Sequence, residues 1–174
     1  YGLSLKQHQF DALVDMAVAY PGSAPLTSGY NLEKVIASQS YSDASLASAF
    51  TAWVKDGDEP VSAQKLNRRL REVKLFLYGS YSGNTEANFR YVIFNPNGGQ
   101  MVSSNLVVCY NANSVYGTLP SAKLSGKYFA GWYTTASSGD HIHNSTTANS
   151  NRTVYAHWSD TAVSNPNVGQ NNVG

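Results

Sequence analysis

The chain has 174 residues, 42% hydrophobic, 12% aromatic and 13% charged, which suits one ordinary domain or two small ones and excludes a large multidomain machine or a disordered chain. Twelve Lys and Arg against eleven Asp and Glu leave a net charge of +1, too little long-range field to gather nucleic acid. Cys109 is the single cysteine, so intramolecular disulfides and thiolate zinc or iron–sulfur sites are excluded, and no apolar run approaches the ~20 residues that span a bilayer.

From Leu5 to Tyr78 the apolar residues recur at helical spacing. Phe10, Leu13, Val14 and Ala17 predict one buried stripe, with Ser4 and Gln7 as a capping box and Pro21-Gly22 as the stop. A second helix is expected over Asn31 to Ser38, with Leu32, Val35 and Ile36 inward. A third is expected over Asp43 to Lys55, carrying Leu46, Phe50, Trp53 and Val54, and Asp56-Gly57-Asp58 ends it. The fourth and longest spans Ala63 to Tyr78. It places Leu66, Leu70, Val73 and Leu77 in a stripe, leaves Arg68, Arg69 and Arg71 largely outside, and takes Gly79 as its C-cap.

Residues 80–88 carry no periodic apolar pattern and read as a linker. Beyond them the grammar changes to short strand-like runs at Tyr91 to Phe94, Leu106 to Tyr110, Lys127 to Tyr133 and Thr153 to Trp158. Turn chemistry such as Asn95-Pro96-Asn97-Gly98-Gly99 and Ser137-Ser138-Gly139-Asp140 separates them. The expected fold is therefore α+β in two domains: a helical lobe at 1–79 and a small antiparallel β or β-rich α+β module at 89–160, with a flexible tail at 161–174. Eight basic residues face nine acidic ones in 1–88, and four face two in 89–174. Neither half is a charged patch, and the Ser/Thr/Asn/Tyr-rich second half has an extracellular flavour.

The segment Leu5-Lys6-Gln7-His8-Gln9-Phe10-Asp11-Ala12-Leu13-Val14 resembles the L-x-Q-x-Q-F-D-A-L-V helix of phage-type lysozymes, glycoside hydrolase family 24. Trp53 near the end of the third helix, and Leu66 to Leu77 with Arg68-Arg69, Glu72 and Phe76, are similar to that family's L-x-R-R-x-x-E-x-x-L-F ending. Together these features cover residues 4–79. The resemblance implies the C-terminal lobe of a muramidase that cleaves the glycan of peptidoglycan, with a catalytic pattern Glu-x8-Asp-x5-Thr lying upstream of the Phe10 helix. Only nine residues precede Phe10 here, so no catalytic residue is assigned within this chain and a missing N-terminal catalytic lobe is the implied partner. The chain opens at Tyr1 without Met or a signal-like apolar segment, which fits the expectation of further residues upstream.

In the second half, Tyr91-Val92-Ile93-Phe94, Asn97-Gly98-Gly99, Tyr116-Gly117-Thr118-Leu119-Pro120, Tyr128-Phe129-Ala130-Gly131-Trp132-Tyr133 and Val154-Tyr155-Ala156-His157-Trp158 resemble one internalin-type B-repeat, also called the Listeria–Bacteroides repeat. That family implies a compact β-grasp-like module of secreted surface proteins, used for adhesion or spacing. Phe94, Phe129, Trp132, Tyr155 and Trp158 supply the apolar bulk for a small core without disulfides. Gly98-Gly99 and Gly131 are expected to serve the backbone: the pair by positive φ, Gly131 by letting a chain approach Trp132.

Both resemblances together imply the C-terminal part of a modular phage or prophage peptidoglycan hydrolase, extracellular at the bacterial wall or on a virion, that contacts peptidoglycan or another wall polymer. The alternative is a non-enzymatic adhesin or virion protein retaining a lysozyme-like scaffold. Alignment with the lysozyme family carries substrate contact onto Tyr20, Tyr30 and Asn31, although the family commonly has an aromatic where this chain has Val18. Asp11 and Asp15 are expected to be solvated helix residues, and Arg68, Arg69 and Glu72 to form structural ion pairs. His141, His143 and His157 are expected to be solvated loop residues rather than metal ligands, Cys109 a buried small hydrophobe, and Tyr116 and Tyr133 packing residues, with sugar stacking as the minority reading. No cofactor or metal is implied.

Overall fold

The computed structural model describes residues 4–20, 31–55, 61–103 and 105–164. The chain divides into two compact units, Tyr1–Phe89 and Arg90–Gly174, one helical and one built on a mixed sheet.

The helical unit holds α1 (Gln7–Ala19), α2 (Asn31–Ser38), α3 (Asp43–Thr51) and α4 (Ala63–Tyr78). α4 is the hub, with α1 and α3 packed against it and α2 against α3. Its N-cap is Ser62, whose side chain accepts from Lys65 N, and Gly79 closes it at φ 66°, a conformation that costs glycine little. α1 starts later than its sequence suggests. Gln9 Oε1, not Gln7, accepts from the backbone N–H at the cap, Lys6 N, at 2.9 Å. α3 stops at Thr51 rather than Lys55; Thr51 Oγ1 donates to Ala47 O at 2.8 Å, and Trp53 and Val54 leave the helix to pack from beyond it.

Two helical stripes are rotated from their expected positions. On α1 the buried residues are Ala12, Leu13 and Met16, whereas Phe10 is 55%, Val14 43% and Val18 68% exposed. On α4 the buried line runs Leu66, Arg69, Glu72, Val73 and Phe76, so Arg69 lies inside. The segment read as a linker is tied to the helices: Tyr81 Oη donates to Asp11 Oδ2 at 2.6 Å, Lys74 Nζ to Gly83 O at 3.0 Å and Asn88 N to Tyr78 Oη at 3.1 Å. Side-chain hydrogen bonds hold it where no apolar pattern does.

The second unit contains β1 (Phe89–Asn95), β2 (Gln100–Met101), β3 (Val107–Asn111), β4 (Ala122–Lys123), β5 (Tyr128–Tyr133), β6 (His141–Ile142) and β7 (Arg152–Ser159). The main sheet has the order β3-β1-β7-β5-β6, and β2 pairs with β4 separately. Of the two expected forms, an antiparallel β or a β-rich α+β module, the antiparallel one does not hold throughout the sheet. β1 and β7 pair in parallel, Val92 opposite Arg152 through Asn95 opposite Tyr155, and both sit inside the sheet where a parallel pair is shielded.

A bulge explains the core. Between Phe129 and Gly131 the register with β7 slips by one residue, and Gly131 adopts φ 114°. Phe129 and Trp132, three apart, thereby reach the same face. Trp132 is fully buried, with Phe94 and Phe129 at ring-centroid distances of 4.8 and 5.2 Å in edge geometry. Its Nε1 donates to Pro120 O at 2.7 Å, so the Tyr116–Pro120 stretch is pinned over the sheet as the second layer. Gly99 needs space rather than positive φ: a Cβ there would stand 2.4 Å from Trp158 Cζ2 and 2.6 Å from Lys123 O.

Two substitutions test this packing in urea titrations of the whole chain followed by tryptophan fluorescence. Trp132→Ala should remove about 3–5 kcal/mol from the repeat-unit transition, and Gly99→Ala about 1–3 kcal/mol through the forced contact. An unchanged midpoint for Gly99→Ala would show that the turn adapts freely.

Candidate functional site

The helical unit carries an open furrow of 520 Å³ between α1, α4 and the start of the following segment. Asp15 comes from α1, Asn67, Arg68, Arg71 and Glu72 from α4, and Ser80 and Tyr81 from the segment. Positions 64, 67, 68, 71 and 75 of α4 reach it because they are three or four residues apart and share one helical face.

A charged network forms its floor. Arg68 Nη2 donates to Asp15 Oδ1 at 2.8 Å and to Asp15 O at 2.9 Å, while its Nε reaches Asp15 Oδ2 at 3.2 Å and Glu72 Oε1 at 3.3 Å. Arg69 Nη2 donates to Glu72 Oε1. Arg69 and Glu72 are 1% and 2% exposed. Behind them Tyr20 stacks its ring under the Arg69 guanidinium at 5.3 Å and donates through its hydroxyl to Trp53 O at 2.5 Å.

Burial pushes the Glu72 carboxyl up to about 8, helped by its hydrogen bond with Asp15, and this outweighs the pull of Arg69 and Arg68. Asp15 moves the other way. Partial burial opposes the shift, but hydrogen bonds with Glu72 and Arg68 hold it below the usual carboxylate range. The two carboxyls are thus pushed in opposite directions, and Arg68 bridges them, reaching Asp15 Oδ2 and Glu72 Oε1 through one Nε.

The sequence-derived contact residues fall elsewhere. Tyr20 is engaged with Arg69 and Trp53, Asn31 is the exposed first residue of α2, and Tyr30 lies outside the described residues. Neither Tyr20 nor Asn31 lines the furrow. The expected structural ion pairs of Arg68, Arg69 and Glu72 are present, but Arg69, expected largely outside the apolar stripe, is buried with Glu72. The available signal was the sparse apolar face of α4, where Arg69 and Glu72 occupy positions i+3 and i+6 from Leu66.

On the sheet unit His141 and His157 are not solvated loop residues. They sandwich Tyr133, with ring centroids at 4.9 and 3.9 Å, and His143 meets His141 edge-on at 4.2 Å. His157 Nε2 donates to Thr135 O at 2.9 Å, and burial, then His143 and His157, lowers His141. With both faces of Tyr133 covered and Tyr116 only 5% exposed, neither ring is a sugar platform. Among the described residues no group of three or more His, Cys, Asp or Glu side chains is arranged to hold a metal ion, and no helix is long and apolar enough to cross a membrane. Cys109 is buried at 6% exposure.

The aromatic positions and the bulged Gly131-Trp132 strand agree with a family model described as the Listeria-Bacteroides repeat domain, which matches residues 91–157. This stretch is such a repeat. The match stops short of the helical unit, and no curated protein and no solved structure matches the chain. Within the repeat the geometry is a core built around Trp132, with no cluster of nucleophile, base and orienting group among its described residues.

The Glu72 proton sets a pH signature for the helical unit. Its folded pKa of about 8 exceeds the unfolded value near ~4.3, so the stabilisation is complete below that value and disappears as pH rises to about 8. The melting temperature read at 222 nm should fall between about pH 5 and 9 and should be nearly flat in Glu72→Gln. A midpoint that rises with pH over this range would mean that Glu72 folds ionised.

Proposed function

We propose that this chain is the C-terminal part of a modular phage or prophage peptidoglycan hydrolase, in which the helical unit is the non-catalytic half of a muramidase and the repeat is an envelope-binding or spacer module. One observation carries the reading. α1 leaves Phe10, Val14 and Val18 exposed at i, i+4 and i+8, a continuous apolar stripe on the side opposite its packed face. Such a stripe on a water-facing helix marks a surface for another protein element, and the lysozyme resemblance of residues 4–79 supplies its occupant, the lobe bearing the catalytic glutamate.

The division of labour follows physically. The general acid must be a carboxyl held protonated near neutrality beside a second group that steadies an oxocarbenium-like state. Glu72 is buried and held by Arg68 and Arg69, and Asp15 is held by Arg68, so neither fits that role. The helical unit then contributes the wall of the cleft and the face on which the catalytic lobe sits. The repeat raises the local concentration of enzyme at the polymer by tethering.

A second reading has its own support: the repeat matched at residues 91–157 belongs equally in a non-enzymatic adhesin or virion component. One experiment separates the two. The protein encoded by the full reading frame, upstream residues included, should release reducing sugar ends from purified peptidoglycan. Replacing the glutamate of its Glu-x8-Asp-x5-Thr segment by Gln should abolish the release. A full-length protein that binds cell walls but liberates no reducing ends would replace the hydrolase with the adhesin.

A further inference from the structure

We propose that the α4 furrow binds a carboxylate flanked by amide groups, the chemistry of an acidic peptide, with Arg71 as its ion-pairing residue. The furrow continues past Arg71 into a second cavity of 450 Å³, and Asn67 and Arg71 line both. Together they form one trough along a single face of α4.

Its cations are already committed, apart from one. Arg68 is paired with Asp15 and Arg69 with Glu72, and Lys74 donates to Gly83 O. Arg71 is exposed and makes no ion pair or hydrogen bond among the described residues. Its stem lies over Gly83, where an added Cβ would meet Arg71 Cγ at 3.4 Å, so the 80–84 turn supports the side chain at the meeting point of the two cavities. Exposed Gln64 and Asn67 stand seven and four residues before it, on the same helical face. A guanidinium fork takes a carboxylate in two parallel hydrogen bonds, and side-chain amides on either hand suit the peptide groups next to it. A polyphosphate would call for several uncommitted cations, and the trough offers one.

The proton on Glu72 belongs to this electrostatics. Facing Glu72 are Asp15 from α1 and Arg68 and Arg69 from α4, with Asp11 and Tyr81 hydrogen-bonded at the rim. With Glu72 neutral, three arginines and Lys74 face Asp15 and Asp11, and the trough is positive. Ionisation of Glu72 adds a buried negative charge one helical position from Arg71. The wall reading enters only in naming the source, the free carboxylates of wall peptides.

The test uses the whole chain and N-acetyl-Ala-Glu-amide, with N-acetyl-Ala-Gln-amide and glycerol phosphate as comparison probes, in NMR titrations at low salt. The acidic peptide should shift Asn67 and Gly83 resonances and bind at least tenfold more tightly than the neutral one. Arg71→Gln should lower its affinity at least tenfold without moving the melting temperature. Affinity should decline between pH 7 and 9, and Glu72→Gln should remove that decline. Equal binding of the two peptides, absence of binding, or an unchanged Arg71→Gln titration would overturn the site, and preference for glycerol phosphate would overturn its carboxylate assignment. These probes require no catalysis, so the outcome is independent of whether the full-length protein cleaves peptidoglycan.

Discussion

The helical unit depends on one interaction, the buried contact between Arg69 and Glu72 on successive turns of α4. Two ionisable groups that are 1% and 2% exposed lie in the line where α4 would otherwise present aliphatic side chains. Removing one partner of such a pair typically costs about 3–5 kcal/mol, because the other is left buried and uncompensated. The structure surrounds the contact accordingly. Asp15 and Arg68 cover it from the furrow side, Tyr20 covers the guanidinium from behind, and Trp53 receives the Tyr20 hydroxyl. α1, α4 and the end of α3 are thereby fixed by a polar network, and the furrow is its solvent-facing side.

The sheet unit solves its stability problem by apolar means. Phe94, Phe129 and Trp132 meet edge to face, and the bulge at Gly131 turns two of them to the same side. The Trp132 Nε1 bond to Pro120 O then holds a strandless stretch as the covering layer. Small modules without disulfides must concentrate burial in a few large side chains, and this arrangement does so. The contrast between the units matches their proposed roles, a polar trough on one and a packed module on the other.

Local features were the most legible in the sequence. α2 and α4 have the bounds that periodicity predicts, and Gly79 closes α4 as expected because a C-cap acts within a turn of the residues it terminates. The repeat was legible from its aromatic and glycine positions. What pattern reading missed depends on contacts distant in sequence. The parallel pairing of β1 with β7 joins residues about 60 apart, and no local alternation encodes it. The rotation of the α1 stripe follows from α4 taking Ala12 and Met16 beside the expected Leu13, in place of Phe10 and Val14. The carboxyl pair stayed hidden for the same reason: Asp15 and Glu72 belong to different helices, and only their packing pushes Glu72 up and holds Asp15 down.

The exposed Phe10, Val14 and Val18 connect the structure to its proposed role, since a hydrolase half needs a face on which its other half rests. Thiol labelling measures this directly. A cysteine introduced by V18C, with Cys109 buried and slow to react, should be modified rapidly in the present chain and should be protected at least tenfold in the protein extended upstream through its reading frame. Equal labelling rates in the two proteins would contradict the account, because the apolar stripe of α1 would then be open to water in the complete molecule as well.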